Sequence, residues 1–186
     1  LEDHDIQAEL TATTRVGVHR YTFPETDEAH LILDMMYGIY NYGEKTTWSF
    51  IRMENDTLIT GYKSTNGWAR TRTMYFAMSL SKPVKSYGFK SYEKHPYKGF
   101  WGRFDQENNF PEAANEKIRA HFDFDMKEGE QLIVKVALSP VSTEGALKNL
   151  QAEAAGLSFD VIKQQTQNFW RKELNKVEVK TIDEPE

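Results

Sequence analysis

The stretch "AHFDFD" at residues 120–125 places groups that could bind a cation on one side of a strand. Successive side chains of a strand point to opposite faces, so His121, Asp123 and Asp125 share one face. Phe122 and Phe124 take the other. Imidazole and carboxylate groups ligate metal ions, which makes a metal site one interpretation. We favour another, a solvated polar row opposite core phenylalanines, because antiparallel sheets commonly have one wet face.

The densest aromatic stretch is "YGFKSYEKHPYKGFWGRF" at 87–104, which holds seven aromatic residues in eighteen and is locally basic. Aromatic rings stack on sugar rings and on bases, and Tyr97 and Trp101 are our candidates for sugar stacking. Aromatic residues are also favoured in strands for packing alone. We expect packing between sheets to explain most of this segment. Ligand stacking is the main alternative, and nucleic-acid binding is the weakest.

A third candidate is the turn in "TGYKSTNGWARTR" at 60–72, where glycine frees the backbone around Trp68. Trp68 offers a flat apolar surface, and Arg70 offers forked donors for hydroxyl or carboxylate groups. We predict that Trp68 and Arg70 contact substrate or a domain interface. The alternative is that Trp68 folds back and covers the end of the domain.

Other chemistry is weakly indicated. His19 and Arg20 in "VGVHRYTF" fall on opposite faces of a strand, so they cannot act together, and we expect a half-buried, hydrogen-bonded histidine. Common nucleophile, phosphate-loop, zinc-protease and dinucleotide motifs are missing from the sequence. A glycosidase needs two carboxyl groups facing one bond, but among 28 acidic residues no spacing singles out a pair.

Composition sets the broad class. The 186 residues suffice for one domain and a tail, with 39% hydrophobic, 13% aromatic and 27% charged residues. A net charge of −5 argues against a general nucleic-acid binder. Without cysteine there is no disulfide and no thiolate site. No apolar run reaches the roughly 18 residues of a membrane span. The chain begins in a strand pattern without a targeting peptide, so we expect a processed chain or a piece of a longer one.

The elements that position these residues are mainly strands. Alternating runs bounded by turn residues predict an antiparallel two-layer β-sandwich. The predicted strands cover residues 5–12, 16–23, 29–36, 46–53, 57–63, 73–81, 84–92, 98–104, 117–125 and 131–139. The period then changes to that of helices, which we predict at 142–156, after Ser142 and Thr143 as N-cap candidates, and at about 158–176. We divide the chain into a sandwich (1–141), a helical segment (142–179) and a linker (180–186).

Several segments in order resemble the N-terminal region of the glycoside hydrolase family 92 α-mannosidases. They are "ELTATTRVGVHRYTFPE", "AHLILDM", "ITGYKSTNGWA", "YFAMSLSKP", "KVALSPVSTEGALKNLQAE" and "FWRKELNKVEV". The resemblance covers about residues 9–179 and is weakest over 84–116. It implies a supersandwich-like N-terminal domain that begins before this chain, joined through helices to an (α/α)6 barrel. It also implies exo-acting, inverting, calcium-dependent removal of α-mannose from glycans.

The resemblance assigns the catalytic acid, the catalytic base and the calcium site to the barrel, so we place no catalytic residue and no metal ligand in this chain. We expect the chain alone to be inactive, to bind no calcium, and in the intact enzyme to wall the active site and brace the barrel. The resemblance also implies a secreted, periplasmic or cell-surface protein, without nucleic-acid or membrane partners. The alternatives are a non-catalytic carbohydrate-binding sandwich and a purely structural or interaction domain.

Overall fold

The computed structural model describes residues 1–38, 45–92 and 111–178. After a short 3-10 helix at Glu2–His4, the described chain forms ten strands and two α-helices. The strands are β1 (Gln7–Ala12), β2 (Val16–Thr22), β3 (Thr26–Asp34), β4 (Thr46–Asn55), β5 (Leu58–Thr65), β6 (Arg72–Leu80), β7 (Ser86–Ser91), β8 (Glu112–Asn115), β9 (Ile118–Met126) and β10 (Gln131–Ser139). The helices are α1 (Thr143–Ala154) and α2 (Phe159–Leu174).

The strands form two antiparallel sheets of unequal width. The large sheet has seven strands in the order β1-β2-β10-β6-β5-β4-β8, and the small sheet has three in the order β3-β9-β7. The two sheets enclose one apolar core, to which the inward-facing Phe122 and Phe124 of β9 contribute completely buried rings. The expected two-layer antiparallel sandwich is confirmed.

The two helices cover part of the outer face of the large sheet and form a second apolar core there. Both helices begin at a serine N-cap. Ser142 Oγ, one of the two predicted candidates, accepts a hydrogen bond from Gly145 N at 3.0 Å, and Ser158 Oγ accepts one from Val161 N at 3.3 Å. Gly156, at φ 71°, supplies the left-handed residue that lets the chain turn from α1 to α2. No described helix is long and apolar enough to cross a membrane.

The observed strands differ from the predicted ones in three places. β3 begins at Thr26 rather than at residue 29, because the acidic residues at its start occupy an exposed edge strand that needs no apolar pattern. β8 was not predicted, since "EAAN" has neither β-branched nor aromatic residues and forms only through its pairing with β4. The strand predicted at 98–104 lies outside the described residues.

The inner face of β1 and β2 extends beyond the small sheet, and we call this surface the overhang. On β1 it presents Ala8, Leu10 and Ala12, all exposed. Leu138 lies beside it at the end of β10 and is 45% exposed. The same two strands are covered by helices on their outer face, whereas no described element covers the inner face of β1.

Candidate functional site at the loop end of the sandwich

The end of the sandwich at which β3, β5 and β7 finish carries several of the described turns, and we call it the loop end. The β5–β6 turn lies there, and so do the turn after β3 and the short turn between β8 and β9. Gly38 and Tyr92, the last described residues before the two internal gaps, also belong to this end. Loops held by a rigid sandwich are common places for binding residues.

Trp68 and Arg70 lie on the β5–β6 turn at the loop end. The turn is held at its base by Asn66 N donating to Lys45 O at 2.8 Å and by Gly67 N donating to Ala69 O at 3.1 Å. Trp68 has a relative exposure of 108%, and Arg70 is exposed as well. Trp68 therefore does not fold back over the sandwich. That Trp68 and Arg70 contact substrate or a domain interface stays a prediction.

The other two candidates, Tyr97 and Trp101, lie outside the described residues. Within the described part of the aromatic segment, Phe89 is buried in the core between the sheets and Tyr87 packs against that core. Tyr92 is partly exposed, and the side chains of Lys90 and Arg119 approach its ring, each at 5.2 Å from the centroid. Packing thus accounts for the first two aromatic residues of the segment.

Asp34 organises the turn that follows β3. Its Oδ1 accepts hydrogen bonds from the amides of Met36 and Tyr37, at 2.8 and 3.3 Å, and its Oδ2 accepts one from Arg119 Nε at 3.0 Å. Burial alone would raise the pKa of Asp34, but these hydrogen bonds favour the ionised form and hold the pKa below its usual value. The carboxylate therefore ties this turn to β9.

A polar row that was not predicted from the sequence lies on the inner face of the large sheet at the loop end. Asn115, Ser49 and Lys63 are directly paired across β8, β4 and β5. Asn115 Nδ2 donates to Ser91 Oγ at 2.6 Å, and Lys63 Nζ donates to Tyr37 O at 2.6 Å. Burial lowers the pKa of Lys63, against an opposing effect of the nearby Asp34 charge.

Ser49 is completely buried in this row, and its Oγ has no hydrogen-bond partner among the described residues. A buried hydroxyl in that state is uncommon in proteins. No signal in the sequence could have found the row, because its three members lie on three different strands, each of which contains other polar residues as well. Only the register of β4 with its two neighbours brings Ser49 beside Asn115 and Lys63.

The row of His121, Asp123 and Asp125 faces solvent opposite the buried phenylalanines, as we favoured. Ser86 Oγ donates to Asp123 Oδ2 at 2.7 Å, and Lys85 Nζ donates to Asp125 Oδ1 at 2.6 Å. The His121 ring occupies the space that a side chain at Gly88 would fill. Across the three described ranges, no group of three or more acidic, histidine or cysteine residues could hold a metal ion.

His19 and Arg20 lie on opposite faces of β2, as predicted. On the inner face, His19 Nδ1 is 2.8 Å from Tyr21 Oη, and burial lowers the pKa of His19. On the outer face, Arg20 forms ion pairs with Glu9 at 2.6 Å and Asp160 at 3.0 Å. Its guanidinium also lies 4.3 Å from the centre of the Phe159 ring. Both side chains have structural partners.

The apolar residues of α2 divide between two environments. Phe159 and Ile162 are buried against the large sheet, whereas Phe169, Trp170 and Leu174 in the second half of the helix are exposed. Trp170 is 57% exposed, so a Trp170→Ala substitution removes no buried side chain. Trp170 contacts Phe169 edge to face, with 6.0 Å between ring centroids.

Comparison with known proteins assigns the chain to a family. The model of the glycosyl hydrolase family 92 N-terminal domain matches residues 1–139. A GH92 α-mannosidase from Bacteroides thetaiotaomicron is 35% identical, with a TM-score of 0.84 over 97% of this chain and 24% of its own. Its structure with mannoimidazole gives 36% identity and a TM-score of 0.81 over 95% of this chain and 22% of its own.

A GH92 inverting mannosidase from Bacteroides thetaiotaomicron VPI-5482 is 26% identical, with a TM-score of 0.75 over 94% of this chain and 21% of its own. No curated protein sequence matches the chain. The chain thus spans about a quarter of the length of the first of these solved structures, which is covered to 24%. The family model and the structural similarity agree, and the chain belongs to glycosyl hydrolase family 92, whose N-terminal domain it represents.

Proposed function

We propose that this chain is part of an exo-acting, inverting, calcium-dependent α-mannosidase, in which the sandwich walls the active site and braces a catalytic barrel. The observation that carries the proposal is the 35% identity to a GH92 α-mannosidase, with a TM-score of 0.84 over 97% of the chain. The name of the more distant relative, an inverting mannosidase, supports the stereochemical part. We propose mannose-containing glycans as the substrate and a location outside the cytoplasm.

We propose that the loop end is the part of the sandwich that faces the active site. Its support is the exposure of Trp68 and Arg70 on a turn that extends from the sheet. A tryptophan face packs on the C–H groups of a sugar ring, and a guanidinium donates in a fork to adjacent hydroxyl groups. In this arrangement Trp68 and Arg70 orient a sugar, while proton transfer is left to carboxyl groups elsewhere.

Among the described residues, no acidic or histidine cluster is suited to calcium. The described residues contain no cluster of three or more potential ligands, and the polar row on β9 is already paired with Lys85 and Ser86. We therefore propose that the metal and both catalytic carboxyl groups are held by other parts of the enzyme. The 186-residue chain alone is then inactive, because inverting hydrolysis requires a general acid and a base that activates water.

The bracing role is proposed for α2. Its second half presents Phe169, Trp170 and Leu174 to solvent on a helix whose first half is fixed to the large sheet. A contiguous exposed apolar surface on a soluble protein commonly marks a contact with another unit. The order of the elements places this helix directly after the sandwich, which suits a contact with the unit that follows.

The test compares the 186-residue chain with the full-length enzyme, both assayed for mannose release from a mannobioside with and without calcium. We expect release only by the full-length enzyme. In that enzyme, Trp68→Ala should lower kcat/KM by roughly tenfold, or about 1.4 kcal/mol of transition-state binding, at unchanged melting temperature. Trp48→Ala, which removes a partly exposed tryptophan from β4, is the matched control.

Two results would contradict the proposal in different ways. A Trp68→Ala enzyme with normal kcat/KM and a lower melting temperature would make Trp68 a structural residue. Calcium-dependent release of mannose by the chain alone would place the catalytic groups in the sandwich. Saturable binding of mannose to the chain alone, lost in Trp68→Ala, would instead support the carbohydrate-binding module.

A further inference from the structure

The turn that carries Trp68 also contains the pair Asn66–Gly67. Asn66 is the only asparagine in the 186 residues that is followed by glycine. Asparagine is among the chemically labile residues of proteins, because its side-chain amide can react with the backbone nitrogen of the next residue. A following glycine favours this reaction, since it has no side chain to shield its nitrogen and adopts backbone conformations that other residues avoid. The pair is therefore a place where the turn can modify itself.

The structure leaves the reacting groups of this pair accessible. Asn66 and Gly67 are both exposed, and the Asn66 side chain forms no hydrogen bond within the described residues. Asn66 N donates to Lys45 O at 2.8 Å, which holds the main chain and leaves the side chain able to rotate. A hydrogen bond from Gly67 N to Ala69 O at 3.1 Å opposes the reaction and must open first. Exposed turns require little free energy to open locally.

Most other described asparagines are restrained by hydrogen bonds of their side chains. Asn55 is the most informative comparison, because it also lies at an exposed turn, between β4 and β5. Its Oδ1 accepts hydrogen bonds from Thr57 N at 2.9 Å and from Thr57 Oγ1 at 3.0 Å, and the next residue is Asp56. Side-chain hydrogen bonds also restrain Asn115, Asn149 and Asn168. Asn66 differs in combining exposure, an unbonded side chain and a following glycine.

We propose that Asn66 deamidates spontaneously and that this reaction alters the turn carrying Trp68. Gly67 N attacks Asn66 Cγ, so that a new N–Cγ bond forms and the Cγ–Nδ2 bond breaks. The departing nitrogen takes up the proton lost from Gly67 N and leaves as ammonia, and the product is a succinimide ring. Water then opens the ring at one of its two carbonyl carbons, which gives either aspartate or isoaspartate. The reaction consumes only water and involves no oxidation or reduction.

The products change the turn in two ways. Both add one negative charge next to Trp68, on the turn that also carries the guanidinium of Arg70. In isoaspartate the main chain runs through Cβ and Cγ, which inserts one carbon–carbon bond of about 1.5 Å between Asn66 and Gly67. The two hydrogen bonds at the base of the turn are donated by these residues, so the inserted bond displaces Trp68. Loss of activity as a consequence rests on the proposed function, in which Trp68 and Arg70 orient a sugar.

The test follows deamidation in the full-length enzyme during incubation at physiological temperature and mildly alkaline pH. Mass spectrometry of peptides measures the gain of one mass unit at residue 66, and electron-transfer fragmentation distinguishes isoaspartate from aspartate. The peptide that contains Asn55 is the internal reference in the same sample. We expect Asn66 to deamidate at least tenfold faster than Asn55. Comparable rates at the two asparagines would overturn the inference.

Two variants test whether the Asn66–Gly67 pair is the cause. Gly67→Ala should slow deamidation of Asn66 at least tenfold. The turn can accept this change, because a Cβ at Gly67 would meet no atom within 4 Å and the glycine does not have a left-handed φ. Asn66→Gln is the second variant, since glutamine would have to form a six-membered ring, which is much slower. An unchanged deamidation rate in Gly67→Ala would contradict the inference.

Mannosidase activity of the same samples separates the two proposals. We expect kcat/KM of the parent enzyme to fall in step with the fraction modified at residue 66, whereas each variant keeps its own starting value. Accumulation of isoaspartate at full activity would support the deamidation and contradict the placement of Trp68 at the active site. An active enzyme in which Asn66 stays intact would overturn the deamidation and leave the proposed function unaffected.

Discussion

The two faces of β1 and β2 differ sharply although they share one backbone. On the outer face, Val16 and Val18 are buried against the helices, and Ile162 of α2 is completely buried with them. On the inner face, Leu10 is largely exposed and His19 is half-buried. Strand pairing does not explain this difference, because the backbone of β2 bonds to β1 along one edge and to β10 along the other whichever face is considered.

In β1 and β2, the residues that favour strand formation are therefore not the residues that determine whether a strand face is buried. The alternation of apolar and polar residues forms β1 and β2, but the cover on their outer face comes from α2, well over 100 residues later in the chain. Polar contacts fix this cover: Thr166 Oγ1 donates to Ala12 O at 2.6 Å, and Lys163 lies 3.5 Å from Glu9. The inner face lacks an equivalent element among the described residues.

The largest expected effect comes from opening the covered face. Ile162→Ala should destabilise the 186-residue chain by about 2–5 kcal/mol, because it removes a fully buried side chain from the helix–sheet core. Val161→Ala is the matched control. The Val161 side chain, one residue before Ile162, is 43% exposed, so its truncation should lower the free energy of unfolding much less. Urea unfolding measures both. An equal loss of unfolding free energy in the two variants would show that α2 does not bury the outer face of the large sheet.

The second prediction concerns the ionic connection across the covered face. Arg20→Met keeps the length of the side chain but removes the ion pairs to Glu9 and Asp160. We expect a lower urea midpoint and faster exchange of amides in the first turn of α2. Lys163→Met, which removes the longer contact to Glu9 and a cation–π contact at 6.0 Å from the centre of the Phe159 ring, should have a smaller effect. If the two variants lost the same stability, Arg20 would not be the main link between α2 and the sheet.

Sequence analysis predicted the parts of the fold that depend on local pattern. The alternation of β9, the N-cap of α1 at Ser142 and the turn around Gly67 each depend on a short stretch of sequence. The family resemblance and the sandwich followed from several such stretches taken together. The exposure of Trp68 was one of two alternatives that the turn left open, and its contacts remain a prediction.

Features that depend on strand order could not be predicted from the same patterns. The row of Asn115, Ser49 and Lys63 exists only because β4 lies between β5 and β8. The overhang likewise follows from the unequal width of the two sheets, which no single strand encodes. Helical periodicity identifies the apolar side of α2 but not how far along the helix the neighbouring sheet extends, so the exposure of Trp170 could not be predicted from it.

The smallest expected effect is a pH dependence of stability that arises from His19 on the inner face of β2. Burial lowers the pKa of His19 in the folded chain below the value of about 6.5 that it has when unfolded. The unfolded state therefore takes up the proton first as the pH falls. The contribution of His19 to stability is complete above about pH 6.5 and decreases as the pH falls from there towards the folded-state pKa.

His19→Gln isolates this contribution, because glutamine can still bond to Tyr21 but does not titrate. The difference in stability between the parent chain and His19→Gln should change with pH only in the window at and below about pH 6.5. The carboxyl groups of Glu9, Glu130 and Glu153 also have lowered pKa values, but they lose their stabilising contributions at more acidic pH, below about 4.5. Unfolding curves between pH 5 and pH 8 measure the difference. A constant difference in stability across that range would mean that His19 has the same pKa in the folded and the unfolded chain. The inner face of β2 would then be as well hydrated at His19 as an unfolded chain.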